Sequence, residues 1–179
     1  MSAACPEFSP QEQRANAAFD ALLKSLARPG MVHQLPEAGE TCLIDALIDR
    51  ECRVYSADPL LLPQIMRCGA EIADAPQADH LFLGRLSSVD MLNSLRLGSD
   101  LYPDEGATLI VRAKLGEGAA LCLKGPGING SETVQVSGLP EGFWATRRAV
   151  MRYPMGFELI LLDADRLMAI PRSTDVEEI

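Results

Sequence analysis

Phe19, Leu22, Leu23 and Leu26 recur at i, i+3, i+4 and i+7, the repeat of a single helix face. Upstream, Ser9-Pro10-Gln11-Glu12 offers a capping serine, a proline at the first helical position and a glutamate at the third. Arg28-Pro29-Gly30 ends that helix, because proline cannot continue it and glycine frees the turn. A short strand is predicted from Met31 to Leu35, and a helix from Thr41 to Asp49 with Leu43, Leu47 and Ile48 inward. Arg53-Val54-Tyr55 reads as a strand, Asp58-Pro59 opens a helix ending near Gly69, and His80 to Leu83 is a further strand. Ser87 to Asp90 opens a helix that Gly98 would close.

Beyond that point extended runs dominate: Ala107 to Ala113, Ala119 to Leu123 and Thr133 to Val136. Pro140 begins a helix to about Tyr153, and Phe157 to Leu162 and Leu167 to Ile170 are the last strands. The run Phe157-Glu158-Leu159-Ile160-Leu161-Leu162 is almost continuously apolar, as a strand covered on both faces would be. The expected fold is α/β: a mixed sheet with helices on both sides, a three-layer α/β/α sandwich. At 179 residues, against the roughly 150 of an ordinary domain, one domain over 1–179 is expected.

Charge narrows the choice of ligands. The chain has 16 basic and 25 acidic side chains, a net charge of −9, and a pI near 4.7. Phosphate-backbone binding needs clustered Lys and Arg, so nucleic acid is a poor partner. The only lysines are Lys24, Lys114 and Lys124. No apolar run approaches a bilayer's span, and the first residues carry neither the charged nor the apolar region of a secretory signal, so no membrane partner is expected. Cys5, Cys42, Cys52, Cys68 and Cys122 follow no zinc or iron–sulfur spacing. They read as free thiols in a reducing cytoplasm, in preference to a metal site drawing on Cys68 and His80.

Gly125-Pro126-Gly127-Ile128-Asn129-Gly130 matches G-x-G-x-x-G after a strand, but a β-like stretch follows where a dinucleotide site needs a helix. Ser131 stands where a P-loop needs its lysine, so a glycine-rich turn between strands is the preferred reading. Lys124, just before the turn, could face an anion held by its amides, though a solvated strand-end lysine is commoner. Arg147, Arg148 and Arg152 lie on the helix before Tyr153, and a solvated face with ion pairs is preferred there over an anion dock. His33 and His80, the only histidines, sit in no nucleophile motif, so no catalytic residue is expected.

Three segments together carry a resemblance: Phe19 to Gly30; Pro103 to Val111 with Leu123 to Ile128; and Tyr153 to Leu161 with Leu167 to Glu177. In this order and spacing they resemble the PhnH family, subunits of the bacterial carbon–phosphorus lyase system. The match extends from Phe19 to Glu177, more loosely over Thr41 to Leu101. Asp20 and Asp175 depart from basic residues (at Asp175, a histidine or basic residue) common in the family. The resemblance implies a cytoplasmic, homodimeric subunit acting with PhnG, PhnI and PhnL to displace adenine from MgATP by a phosphonate, forming α-D-ribose 1-methylphosphonate 5-triphosphate. It places carbon–phosphorus cleavage in a different subunit, PhnJ, by iron–sulfur radical chemistry. It further implies a fold like the PLP-dependent transferases without their cofactor site; no lysine here lies in a PLP motif. No cofactor or metal is then expected on this chain, MgATP being the substrate of the complex.

Two other roles stay open beside that of a subunit silent alone. The chain could bind ATP or the phosphonate and lend residues to the shared site. Arg28, Lys124 and Arg172 would be the anion contacts, since each flanks a Gly or Pro turn in a matched segment, although ion pairs with acidic neighbours are the plainer reading. It could also be an assembly scaffold held by apolar surface.

Overall fold

A computed structural model describes residues 8–179; Met1 to Glu7, with Cys5 and the N-terminal region read above, lie outside them. The first helix, α1 (Pro10–Ala27), starts as its sequence dictates. The Ser9 hydroxyl accepts from the Glu12 N–H at 3.2 Å, and the Glu12 carboxylate accepts from the Ser9 N–H at 2.7 Å. Its buried face is set by Ala18, Ala21, Leu22 and Ser25, while Phe19 and Leu23 are exposed. The period was legible but its phase is turned, because the helix docks through small residues. Close approach lets the Ser25 hydroxyl accept from the Ala169 N–H at 2.6 Å.

The main sheet has seven strands: β1 (His33–Gln34), β2 (Arg53–Ser56), β3 (Glu71–Ile72), β4 (His80–Gly84), β5 (Thr108–Arg112), β8 (Glu158–Asp163) and β9 (Arg166–Ile170), in the order β1-β9-β8-β5-β4-β2-β3. From β8 to β3 every pairing is parallel, and β9 runs antiparallel to both its neighbours. Successive side chains face opposite sides, so each central strand feeds two cores. Phe82, Ile110, Ile160 and Leu162 pack under α1, α2 (Thr41–Leu47) and α3 (Leu62–Arg67). Leu81, Leu109, Val111, Leu159 and Leu161 face the other way.

That second face departs from the expected helical layer. It is covered by a three-stranded antiparallel sheet of β6 (Lys114–Lys124), β7 (Glu132–Ser137) and β10 (Asp175–Glu178), in the order β10-β6-β7, with one helix, α4 (Phe143–Val150). The fold is therefore mixed α/β, with helices on one face and a small sheet plus a helix on the other. The helix expected between Ser87 and Gly98 is only a 3-10 turn over Asp90–Ser94. Leu92 is the one buried residue of that turn. α4 likewise starts later than Pro140: Gly142, at φ 77°, is its N-cap, a left-handed conformation that suits glycine.

Candidate functional site

At the carboxyl ends of β4, β5 and β8 lies a cavity of about 330 Å³. Open α/β sheets commonly place ligands at this end of their parallel strands. Each cation here comes from the end of a strand: Arg85 follows β4, Arg112 closes β5, and Lys114 opens β6 two residues later. Gly39, Ala113, Gly138 and Ala164 contribute little side chain, which keeps the space open.

Two of the cations are anchored by buried carboxylates. Arg112 grips Glu40 with two hydrogen bonds, Nε at 2.7 Å and Nη2 at 2.6 Å. The Glu40 side chain is only 2 % exposed, whereas Arg112 is 46 % exposed. Asp163 accepts from Lys114 Nζ at 3.0 Å and the Leu115 N–H at 3.2 Å, and pairs with Arg166. Burial pushes the Asp163 carboxyl up, but these hydrogen bonds outweigh it and hold the group below the usual carboxylate range. Arg85 is exposed and has no carboxylate partner among the described residues.

The residues singled out from sequence fall elsewhere. The Gly125–Gly130 turn is wedged between the end of α1 and the C-terminal segment. A Cβ on Gly127 would lie 2.3 Å from the Ala27 carbonyl oxygen, and one on Gly125 would lie 2.6 Å from that of Ser173. Arg28 lines a cleft beside this turn with Pro29, Gly127, Asn129 and Glu132. Lys124 is exposed at the end of β6, in register with Asp175. Arg172 is held by Glu158, which accepts from its backbone N–H and from its Nη1, both at 2.9 Å. The three segments of the resemblance thus meet at the glycine-rich turn, where close packing explains the glycines. Gly127→Ala is expected to cost about 3 kcal/mol, since a carbonyl must move as well as a left-handed residue be accommodated. Gly130→Ala, at φ +78° with no atom near its Cβ, should cost only the backbone penalty of about 1 kcal/mol. Urea denaturation of both variants checks the contrast.

The arginines of α4 divide: Arg148 is exposed, as on a solvated face, and Arg147 is not. Arg147 is buried and donates to the carbonyls of Thr174 at 3.1 Å and Pro171 at 2.9 Å, while Arg148 donates to that of Val176. They fasten the strand-forming tail to the body. Arg152, beyond the helix, is exposed.

His33 lies on β1 and His80 on β4, with β9, β8 and β5 between those strands, and neither lines the cavity. Burial pushes the His80 imidazole below its ordinary 6.5, against the opposing pull of Asp79 and Asp49. The unfolded chain therefore takes up a proton that the folded chain refuses, and stability falls as pH drops below 6.5. The expected slope is up to about 1.4 kcal/mol per pH unit, and His80→Gln should flatten it in denaturation series between pH 7.5 and 5.5. Burial raises the thiols of Cys42, Cys52 and Cys68, which lowers their reactivity. Among the described residues, no three His, Cys, Asp or Glu side chains gather as a metal site would need.

Residues 6–177 match the family model for the bacterial phosphonate metabolism protein PhnH. The chain belongs to the PhnH family. A relative from Stutzerimonas stutzeri, named as C-P lyase subunit protein HtxG, is 32% identical over 174 residues, covering 93% of this chain and 87% of the relative. Another, the PhnH subunit of α-D-ribose 1-methylphosphonate 5-triphosphate synthase from Rhizobium meliloti (strain 1021), is 28% identical over 182 residues, covering 91% and 90%. For this PhnH-family chain, the cavity cations were missed in the sequence because Arg85 lies far along the chain from Arg112 and Lys114. The available signal was a basic residue directly after an apolar strand, at Leu83-Gly84-Arg85 and Val111-Arg112.

Proposed function

We propose that this chain is a subunit of a carbon–phosphorus lyase system, needed with PhnG-, PhnI- and PhnL-type partners to transfer ribose triphosphate from MgATP to a phosphonate. In that reaction a phosphonate oxygen bonds to the ribose C1′, the bond from C1′ to adenine breaks, and adenine leaves with a proton. The observation that carries the reading is the family match across residues 6–177. The name of the Rhizobium meliloti relative, a subunit of the corresponding synthase, supports it.

The subunit is catalytically silent alone. Breaking the bond to adenine calls for a group to protonate or accept the leaving base. The described cavity lining contains no histidine, cysteine or serine, and its carboxylate, Asp163, is already committed to two cations and an amide. Acid–base chemistry at the leaving base is assigned to the partners, and the later carbon–phosphorus cleavage to a PhnJ-type subunit. We place the chain in the cytoplasm as a homodimer, with a fold akin to the PLP-dependent transferases but using no PLP. No described helix is long and apolar enough to cross a membrane.

The purified chain, incubated with MgATP and methylphosphonate, is expected to release no adenine, and tagged chain should draw down the other subunits from cells expressing them. Adenine release by the chain alone, or failure to associate with any of them, overturns the reading.

A further inference from the structure

We propose that the cavity at the carboxyl ends of β4, β5 and β8 binds a tetrahedral oxyanion of the phosphoryl or phosphonyl class, with Arg85 as its mobile clamp and Arg112 and Lys114 as its fixed cations. This goes beyond the subunit role, which needs no ligand on this chain, and it lies apart from the Arg28, Lys124 and Arg172 positions.

Donor accounting carries the inference. Arg112 spends Nε and Nη2 on Glu40, and its Nη1 has no partner among the described residues. Lys114 has three ammonium protons and gives one to Asp163. Arg85 keeps its whole guanidinium fork, the geometry that matches the paired oxygens of a phosphoryl group. The two fixed cations are oriented before any ligand arrives, so binding need not order them. Their buried carboxylates act as anchors, and Arg166 behind Asp163 offsets the one negative charge in the lining. In a chain of net charge −9, three cations at one cavity stand against the general field.

The lining also selects the part of a ligand that is recognised. It presents no aromatic ring on which a nucleobase could stack, and its volume of about 330 Å³ is at the small end for ligand sites. Gly39, Ala113 and Ala164 leave the entrance open to a substituent attached to the oxyanion. A divalent cation is the weaker fit, since Asp163 is the sole lining carboxylate and is already neutralised.

The test is a titration of the isotopically labelled full chain, at constant ionic strength, with inorganic phosphate, methylphosphonate, ATP and, as a control, chloride. Saturable amide shifts centred on Gly39, Ala113, Lys114 and Gly138 are expected with phosphate and methylphosphonate at similar affinity. Arg85→Ala should weaken both by about tenfold, and Arg85→Lys by less, because lysine keeps the charge but not the fork. Thermal midpoints of both variants should match the parent, since Arg85 is exposed and unpaired. Shifts that chloride reproduces, saturable binding by ATP alone, or undiminished affinity in Arg85→Ala would each overturn the proposal. Adenine release by the assembled complex reports separately on the subunit role, so either reading can fail without the other.

Discussion

Arg147→Ala is expected to destabilise the fold by about 3 kcal/mol, because it removes a buried charged donor from two carbonyls that water cannot replace. Burial already pushes this guanidinium down to about 10, so it remains charged at neutral pH while carrying a heavy desolvation cost. What offsets that cost is geometric. The side chain reaches the Pro171 and Thr174 carbonyls, and its guanidinium lies 5.9 Å from the Phe157 ring centre. Alanine abolishes all three contacts and leaves a cavity beside Phe157. The tail that forms β10 should loosen first, so amide exchange at Val176 and Glu177 should speed up ahead of the main sheet. Arg147→Lys keeps a charge but reaches at most part of the arrangement, and should fall between alanine and the parent. Arg152→Ala, at an exposed position, should stay within about 0.5 kcal/mol. Equal stability of Arg147→Ala and Arg152→Ala in urea melts would show that α4 does not secure the tail.

Arg112→Ala is expected to cost about 2–3 kcal/mol at neutral pH, more than Glu40→Gln, because it strands a carboxylate that is almost fully buried. The figure lies low in the range for broken buried pairs because Arg112 is 46 % exposed and water can enter where it stood. The double variant Arg112→Leu with Glu40→Leu should recover much of the loss, since it removes both charges. A deficit that the double variant does not relieve would point to lost packing of the arginine stem instead.

Elements with a local cause were legible in the sequence. The capping box of α1 and its Pro-Gly stop are decided by neighbouring residues, and the apolar run of β8 can only be a doubly covered strand. The phase of α1 was legible only at Leu22, because the rest of its docking face is Ala18, Ala21 and Ser25, residues whose value lies in their small size. The strand β10 was missed for a related reason: Asp175-Val176-Glu177-Glu178 buries one side chain, and its pairing comes from β6 and the arginines of α4. The stretch after the glycine-rich motif is a strand, as its sequence predicts, yet only the structure reveals what the glycines accommodate. The cavity was hidden by topology. Arg85, Arg112 and Asp163 are distant in sequence and become neighbours only through the parallel order β4-β5-β8.

The net charge of −9 takes on a sharper meaning beside this geometry. An acidic chain with three lysines is poorly equipped to hold a triphosphate and a phosphonate unaided. Its local cation cluster is suited to one oxyanion group, so in the proposed reaction Mg²⁺ and partner subunits would supply the rest of the positive field.

As proposed, this chain is an obligatory but non-catalytic subunit. Adenine release from MgATP and methylphosphonate by purified PhnG-, PhnI- and PhnL-type partners, measured with and without this chain added back, tests that role. Release is expected only when the chain is present, rising with its amount to a stoichiometric plateau. Full release without the chain would contradict it.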